Sequence, residues 1–314
     1  MRPEPEILNQ LDRRLGSAHA TERLRLESAH EQRMSRGGLA SLRSRSLHSS
    51  PKLVRGLLKS LGLYRRARAN AARIRVEETV LRFATLPDLF EGFTILHISD
   101  MHIDISDEAM RQLAELLPGL RCDLCVLTGD FRGKTYGPFD ATLAGLARLR
   151  PRLPAPVYAV LGNHDSILMV PGLEAIGIRV LLNECEPILR GNHAIHLAGI
   201  DDAHHYRLGD IAKAAAGIPK NAFSILLSHT PEVYREAASA GFDLLLGGHT
   251  HGGQICLPGA IPITLGSALP RRMGSGAWAY RDMIGYTSVG VGSCVEPVRL
   301  NCPPAITLHR LGRF

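Results

Sequence analysis

Short apolar runs recur along the chain from residue 93 onward, and each ends in a glycine or a polar residue. Five of these runs predict buried strands, at residues 93–99, 123–129, 156–162, 223–229 and 242–248. Between them, residues 106–117 show helical periodicity after Ser106, a typical N-cap. Residues 187–200 predict a hairpin turned at Gly191-Asn192. Strands alternating with helices indicate the α/β class, and periodicity alone takes the prediction no further.

The N-terminal part of the chain differs in composition and in apolar periodicity. Residues 1–50 show little apolar periodicity and become rich in serine and arginine toward their end, so we expect a flexible basic extension with weak order. Residues 51–73 predict a basic amphipathic helix. Its apolar positions fall within an arc of about 140° and are Leu53, Val54, Leu57, Leu58 and Leu61. The α/β domain itself is expected over residues 74–314.

The amphipathic helix leaves three partners open. Residues 51–68 carry lysines and arginines beside the apolar arc, a combination that can lie on an anionic membrane surface. The same helix could instead pack on its own domain. Nucleic acid is a third candidate, although Tyr64 is the single aromatic residue of this segment available for base stacking.

Composition and charge narrow the class of protein. The chain has 314 residues, 45% of them hydrophobic, which is enough for a globular core and excludes a fibrous or wholly disordered protein. The net charge of +7 is uneven, because residues 1–75 hold 17 Lys and Arg against 6 Asp and Glu, and the remainder holds 20 against 24. The basic character therefore belongs to the extension, and a uniformly basic nucleic-acid-binding domain is excluded.

Six irregularly spaced cysteines are too few for a disulfide scaffold, so a reducing compartment is expected. No run of 18 apolar residues predicts a membrane span. We therefore expect a cytoplasmic protein that can sit peripherally at the inner face of the cytoplasmic membrane through residues 51–68.

The chemistry concentrates where the five apolar runs end. The residues that follow them are Asp100, His102, Asp130, Asn163, His164, Asp165, His229, His249 and His251. Because the carboxyl ends of strands in open α/β sheets meet along one edge, these side chains are expected to converge. Carboxylate, amide and imidazole donors suit two divalent ions about 3.5–4 Å apart, with one carboxylate between them. Mixed ligation of this kind favours Mn, Fe or Zn.

The ordered blocks SDMH, TGD, GNHD, SHT and GHTH resemble those of the calcineurin-like metallophosphoesterases, which read D-x-H, G-D, G-N-H-D/E, H and G-H-x-H. The later stretches HTHGGQICLPG and GVGSCVEPVRLNCPPAITLHRL are similar to a bacterial phosphodiesterase branch that includes the YaeI and YkuE types. The resemblance covers about residues 74–312. It implies a four-layer αββα sandwich, in which two facing mixed sheets are flanked by helices.

The resemblance also implies individual roles. Asp100, His102, Asp130 and His251 would surround one metal ion. Asp130, Asn163, His229 and His249 would surround the other, with Asp130 as the bridge. His164 would be the catalytic histidine that contacts the phosphate and protonates the leaving oxygen, and Asp165 would orient its imidazole.

The activity implied is dinuclear-metal-dependent hydrolysis of phosphodiester or pyrophosphate bonds, by in-line attack of a metal-bridging hydroxide. A lipid-linked substrate, UDP-diacylglucosamine-like or phospholipid-like, would suit the amphipathic segment. Two alternatives remain open from the residues. One is a nuclease or nucleotide phosphodiesterase that uses the basic extension, and the other is a non-catalytic binding protein with the same fold. The presence of every expected ligand speaks against the second.

Overall fold

Two six-stranded sheets form the centre of the protein. A computed structural model of the chain describes residues 5–35, 51–154 and 156–314. The first sheet contains β1 (Arg75–Arg82), β2 (Thr94–Ile98), β3 (Leu124–Thr128), β4 (Val157–Val160), β5 (Arg179–Val180) and β14 (Ala305–Gly312). Its strand order is β1-β14-β2-β3-β4-β5, and the β14–β2 pair is antiparallel while the other pairs are parallel.

The second sheet contains β6 (Glu184–Arg190), β7 (His193–Gly199), β8 (Ser224–Leu227), β9 (Leu244–Gly247), β12 (Gly276–Tyr280) and β13 (Met283–Thr287). Its order is β12-β13-β9-β8-β7-β6, with antiparallel pairs at both ends and parallel pairs between. A separate two-stranded ribbon pairs β10 (Cys256–Leu257) with β11 (Ile261–Pro262). The predicted hairpin at residues 187–200 corresponds to β6 and β7.

Helices cover the outer face of each sheet. They are α1 (Pro5–Leu15), α2 (Ser17–Ser35), α3 (Pro51–Ser60), α4 (Tyr64–Ala71), α5 (Asp107–Leu116), α6 (Asp140–Leu149), α7 (Val170–Ala175), α8 (Ile211–Ala215) and α9 (Tyr234–Ser239). Ser106 caps α5 by accepting a hydrogen bond from the backbone N–H of Ala109, as the sequence predicts. The four-layer αββα sandwich is confirmed.

The strands are apolar on both faces because both faces are covered. Between the sheets, Ile95 and Val126 of the first sheet belong to the same core as Leu227 and Leu246 of the second. On the outer face of the first sheet, Leu96 and Leu127 pack with Leu113 of α5 and Leu146 of α6. The outer face of the second sheet packs Leu226 and Leu245 against Ala214 of α8 and Ala237 of α9.

The expected weak order of residues 1–50 does not hold for residues 5–35, which form the helical pair α1–α2 on the body of the protein. Leu11 and Leu15 are buried in the outer core of the first sheet. Arg14 forms ion pairs with Glu174 and Glu184 at 2.6 and 2.7 Å. These contacts come from residues about 160 or more positions away, so local periodicity carries no sign of them. Residues 1–4 and 36–50 lie outside the described part of the chain.

The segment predicted as one amphipathic helix over residues 51–73 consists of α3 and α4. Gly62 separates them with a left-handed φ of 70°. Its N–H donates to the carbonyl of Lys59, and the N–H of Leu63 donates to that of Leu58, a Schellman-type helix end. Leu58 is buried against Val298 and Leu300 of the main domain. Within the described residues, no helix has the length and apolar character needed to cross a bilayer.

Candidate metal centre

All the side chains that follow the five apolar runs lie along one edge of the two sheets. The Asp100–His102 segment comes after β2, Asp130 after β3, and Asn163 after β4. His229 follows β8, and the 249–251 segment follows β9. Since β2, β3 and β4 run parallel, as do β8 and β9, their carboxyl ends meet at this edge. The structure therefore brings together residues that are up to 151 positions apart in the chain.

Backbone strain is concentrated at this edge. Five of the residues adopt positive φ angles, between 41° and 71°: Asp100, His102, Asp130, His249 and His251. A left-handed conformation costs roughly 1–2 kcal/mol for a residue with a Cβ atom. It persists because neighbouring backbone hydrogen bonds hold it, such as that from the Asp100 N–H to the Gly129 carbonyl at 3.0 Å. Strain of this kind clusters at functional sites.

Two glycines let the backbone approach the carboxylates closely. A Cβ atom at Gly162 would overlap the carboxylate of Asp130, and one at Gly248 would overlap Ser99 and the carboxylate of Asp100. The sequence predicts this role from the position of the glycines at the ends of apolar runs. Alanine at either position would therefore displace a carboxylate or its loop.

One group of donors surrounds the Nε2 atom of His229. It lies 3.1 Å from Asn163 Oδ1, 3.3 Å from Asp130 Oδ2 and 3.2 Å from His249 Nδ1. Asp130, His229 and His249 each offer a ligand atom within 4.8 Å of the others. These are four of the predicted donors, gathered as the sequence predicts.

A second group of donors lies on the other side of Asp130. His102 Nε2 is 3.2 Å from His251 Nε2 and 3.9 Å from Asp130 Oδ2. Asp100 Oδ1 lies 3.5 Å from His251 Nε2. Asp130 Oδ2 thus contributes to both groups, which is the position of a bridging carboxylate.

The hydrogen bonds of the imidazoles show that these donors fit divalent ions. The Nδ1 atoms of His102 and His229 face the carbonyls of Arg132 and Thr128 at 2.8 and 2.7 Å. A carbonyl only accepts hydrogen bonds, so each Nδ1 carries the hydrogen. In the neutral imidazole, Nε2 then has a free lone pair that is directed at the candidate metal centre. Lone pairs of nitrogen, amide and carboxylate then face one another at little more than 3 Å, an arrangement that a cation would stabilise.

His251 is the exception, because its Nδ1 faces the buried Arg299 guanidinium at 3.2 Å. No carbonyl fixes its tautomer in the way seen for His102. The positive charge of Arg299 lies beside the second donor group and disfavours another cation there.

The shifted pKa values of the buried carboxylates and imidazoles also indicate that the centre suits a cation. Burial alone would raise the pKa of Asp130, but the His229 and His164 imidazoles hold it well below its usual value. Burial alone would lower the pKa of His229, yet the Asp130 carboxylate raises it to about 10. Burial raises the pKa of Asp100 to about 6. The Asp130 carboxylate thus favours positive charge on the neighbouring His229 imidazole, and a divalent ion that binds here would replace that proton.

His164 lies at the rim of the centre, with its Nε2 atom 3.9 Å from Asp130 Oδ2. Its backbone N–H donates to Asp130 Oδ1 at 2.8 Å. Nδ1 is 2.8 Å from the carbonyl of Gly133, which orients the ring and leaves Nε2 toward the centre. Burial would lower the pKa of His164, but the Asp130 carboxylate raises it to about 10.

Asp165 does not hold the His164 imidazole, contrary to what the resemblance implies. Its carboxylate accepts hydrogen bonds from the backbone N–H groups of Phe131 and Gly162, both at 2.9 Å. It therefore ties the loop after β4 to the loop after β3. The carbonyl of Gly133 occupies the orienting position instead, because the loop after β3 turns back over the His164 ring.

Helix α2 contacts this loop, although the sequence predicts only weak order for residues 1–50. Arg23 is fully buried, and its guanidinium donates to the Asp165 carbonyl at 3.1 Å and stacks on the Tyr206 ring at 3.4 Å. Glu27 accepts hydrogen bonds from the side chain of Ser166 and the N–H of Ile167, at 2.5 and 2.8 Å. The polar spacing 19, 23, 27 and 30 along one helical face is the signal that could have revealed the contact.

Replacing Arg23 with Ala is expected to destabilise the protein by about 3–5 kcal/mol. The change would leave the buried carboxylate of Asp201, 3.5 Å from Arg23 Nε, without this cation. Thermal and urea unfolding of full-length protein would measure the loss. Arg25→Ala is the matched control, since Arg25 is exposed and pairs with Glu22 on the same helix. A difference of less than 1 kcal/mol between the two variants would contradict the assigned role.

His204 extends the centre outward. Its ring lies 4.3 Å from that of His249, and its Nδ1 is 2.7 Å from the Glu232 carboxylate, which raises its pKa. On the neighbouring side, His30 of α2 lies 4.8 Å from the ring of His205 and 2.8 Å from Thr135 Oγ1. The 201–207 loop thus contacts a predicted donor through His204 and contacts α2 through His205.

Comparison with known proteins agrees with the geometry. The calcineurin-like phosphoesterase family profile matches residues 93–253. The uncharacterised metallophosphoesterase YkoQ of Bacillus subtilis is 30% identical over 69% of this chain and 83% of its own length. Phosphodiesterase YaeI of Escherichia coli is 29% identical over 73% of this chain and 86% of its own. A metallophosphoesterase of Aquifex aeolicus is 30% identical over 75% and 90%, respectively.

Proposed function

The chain belongs to the calcineurin-like phosphoesterase family and is a phosphoric ester hydrolase, and from this premise we propose that it cleaves phosphodiester or pyrophosphate bonds at two divalent ions. The observation that carries the proposal is the position of Asp130 Oδ2 between two groups of donors. One ion would be held by Asp100, His102, Asp130 and His251. The other would be held by Asp130, Asn163, His229 and His249.

Two ions in this centre would supply a nucleophile at neutral pH by acidifying water and would neutralise charge on the phosphoryl oxygens. The protein's own residues do the rest. Asp130 fixes the spacing of the two donor groups, and the carbonyls of Arg132 and Thr128 fix the tautomers of His102 and His229. His164 presents Nε2 at the rim, where it can protonate a departing alkoxide, and its Nδ1–H bond to Gly133 keeps that nitrogen in place.

A groove lined by arginines supports an anionic substrate that is longer than a simple phosphate. It has a volume of about 1070 Å³ and runs between α4 and α5. Its lining includes four arginines, Arg65, Arg68, Arg73 and Arg111, against two acidic residues, Asp107 and Glu108. The groove therefore has a net positive lining, and its lining residue Ile105 is three positions from the donor His102 in the chain. It can take further phosphates or a headgroup of the substrate.

The exposed side of α3 supports a lipid-linked substrate. Leu53, Leu57 and Leu61 are 54%, 62% and 60% exposed, although Leu58 on the inner side is buried in the main domain. Exposed basic residues flank them at Lys52, Lys59, Arg65 and Arg66. Three leucines among cations match the chemistry of an anionic bilayer surface, which would place the enzyme peripherally at the inner face of the cytoplasmic membrane.

Changing Leu57 to Asp is expected to lower partitioning onto vesicles that contain anionic phospholipid by at least about 10-fold. The reason is that a charge replaces an apolar side chain whose burial in the bilayer would contribute about 2 kcal/mol. Vesicle sedimentation would measure the effect. Leu189→Asp is the matched control, because Leu189 is 72% exposed on β6, remote in sequence from α3. Equal sedimentation of wild type and Leu57→Asp would contradict the membrane assignment.

A substrate screen tests the proposed activity. Metal-depleted protein would be assayed with Mn²⁺ added back, on phosphomonoesters, phosphodiesters and nucleoside-diphosphate-linked lipids. The proposal predicts metal-dependent cleavage of bis(p-nitrophenyl) phosphate and faster cleavage of a lipid-linked diester or pyrophosphate presented in vesicles. A preference for phosphomonoesters would overturn it, as would nucleic acid being the fastest substrate.

A further inference from the structure

A cysteine without a role in the proposed chemistry lies at the metal centre. The sulfur of Cys294 and the ring nitrogens of His102 and His251 all lie within 4.8 Å of one another. Cys294 also neighbours the His164 imidazole and contributes to its raised pKa. Cys294 is half-buried, while both histidines are buried, so the thiol stands at the open side of the second donor group.

Two side chains hold the main chain of the loop that carries Cys294. Gln254 accepts a hydrogen bond from the Cys294 N–H at 2.8 Å and donates to its carbonyl at 3.0 Å. The buried Arg299 donates to the carbonyls of Gly290 and Gly292 in the same loop. The next residue, Val295, has a φ of 67°, an unfavourable angle for a β-branched residue. These hydrogen bonds fix the loop so that the Cys294 thiol lies beside the His102 and His251 imidazoles.

The charges around the second donor group favour an additional anionic ligand. Arg299 Nη2 lies 3.2 Å from His251 Nδ1, so a full positive charge sits behind the second donor group. The histidine donors of this group are neutral ligands, Asp100 is its one unshared carboxylate, and Asp130 shares its charge with the other group. A thiolate would add a negative donor that offsets Arg299 and stabilises a divalent ion.

We propose that the Cys294 thiolate is a metal ligand beside His102 and His251, and that it biases this position toward thiophilic ions such as Zn²⁺, Co²⁺ or Fe²⁺ over Mn²⁺ and Mg²⁺. The proposal rests on the proposed function, because it assumes an ion at this donor group. On binding, the thiol S–H bond breaks, the proton passes to the buffer and a sulfur–metal bond forms. Activity is not needed to detect that bond.

The test is a Co²⁺ titration of metal-depleted full-length protein followed by absorption spectroscopy. A thiolate–cobalt charge-transfer band in the near ultraviolet is expected to grow with the first or second equivalent. Cys294→Ser is expected to lose this band while it retains the weaker ligand-field bands in the visible. In competition, the Zn²⁺-over-Mn²⁺ preference of Cys294→Ser should fall by at least about 10-fold.

Two cysteine variants serve as controls. Cys302 is the other thiol near His251 and donates to the His251 carbonyl at 3.3 Å, and Cys185 lies on β6. Cys302→Ser and Cys185→Ser should both keep the charge-transfer band. Should Cys294→Ser fail to fold, X-ray absorption of the Zn²⁺-loaded wild type replaces it, with a sulfur scatterer expected at about 2.3 Å.

The possible results distinguish a failure of the thiolate ligand from a failure of the proposed function. Two bound Co²⁺ ions without a charge-transfer band in wild type, or a band of full intensity in Cys294→Ser, would overturn the thiolate ligand and leave the proposed function standing. A wild-type protein that binds no Co²⁺ would overturn both.

Discussion

Asp130→Asn is expected to lower kcat/KM for bis(p-nitrophenyl) phosphate by at least about 1000-fold. Asp130 Oδ2 is 3.3 Å from His229 Nε2 and 3.9 Å from both His102 Nε2 and His164 Nε2. An amide offers a single neutral oxygen and an N–H₂ group that cannot ligate a metal. The variant should therefore lose both the shared ligand and the negative charge between the two ions. Steady-state kinetics at saturating Mn²⁺ would measure the loss.

The matched control is Asp123→Asn, at the opposite end of β3. Asp123 is exposed and accepts one hydrogen bond from the Thr94 N–H at 2.8 Å. Its replacement should leave kcat/KM within about 3-fold of wild type, because this end of the strand is remote from the donors. Retention of more than a tenth of wild-type activity by Asp130→Asn would contradict the shared-ligand role.

His164→Gln is expected to lower kcat by about 100-fold or more on substrates with an alkyl leaving group, and by much less on p-nitrophenyl esters. A departing alkoxide needs a proton, whereas nitrophenolate leaves without one. His164 Nε2 is the nitrogen available for that transfer, since Nδ1 is engaged with the Gly133 carbonyl. Comparing kcat across leaving groups would measure the effect.

Metal content distinguishes His164→Gln from Asp130→Asn. His164→Gln should bind as much metal as wild type, because its ring belongs to neither set of four donors. His196→Gln, on β7, is the control substitution and should leave kcat unchanged for every leaving group. An equal loss in His164→Gln for alkyl and nitrophenyl esters would show that His164 transfers no proton.

Much of the centre could be predicted from the sequence because each donor follows an apolar run. A buried strand ends where its apolar run ends, and parallel strands align those ends. The positions of Asp100, Asp130, His229 and His251 therefore follow from strand boundaries alone. Gly162 and Gly248 stand at the same run ends, where a Cβ atom would overlap a carboxylate.

Other features depend on contacts that no local pattern encodes. The burial of Arg23 depends on Asp201 and Tyr206 from a distant loop, so the sequence predicted only a flexible extension with weak order over residues 1–50. The family resemblance placed Asp165 at the His164 ring. The backbone N–H groups of the loop after β3 bind its carboxylate instead. Likewise, Cys294 reaches the donors only because Gln254 and Arg299 fold its loop inward.

The central claim is that the donors around Asp130 hold two divalent ions. The most direct test is the metal content of full-length protein after equilibrium dialysis against Mn²⁺ or Zn²⁺, measured by inductively coupled plasma mass spectrometry. Wild type should hold about two ions per chain, Asp123→Asn the same, and Asp130→Asn about one or fewer. A wild-type content below one ion per chain, or a full complement in Asp130→Asn, would contradict the account.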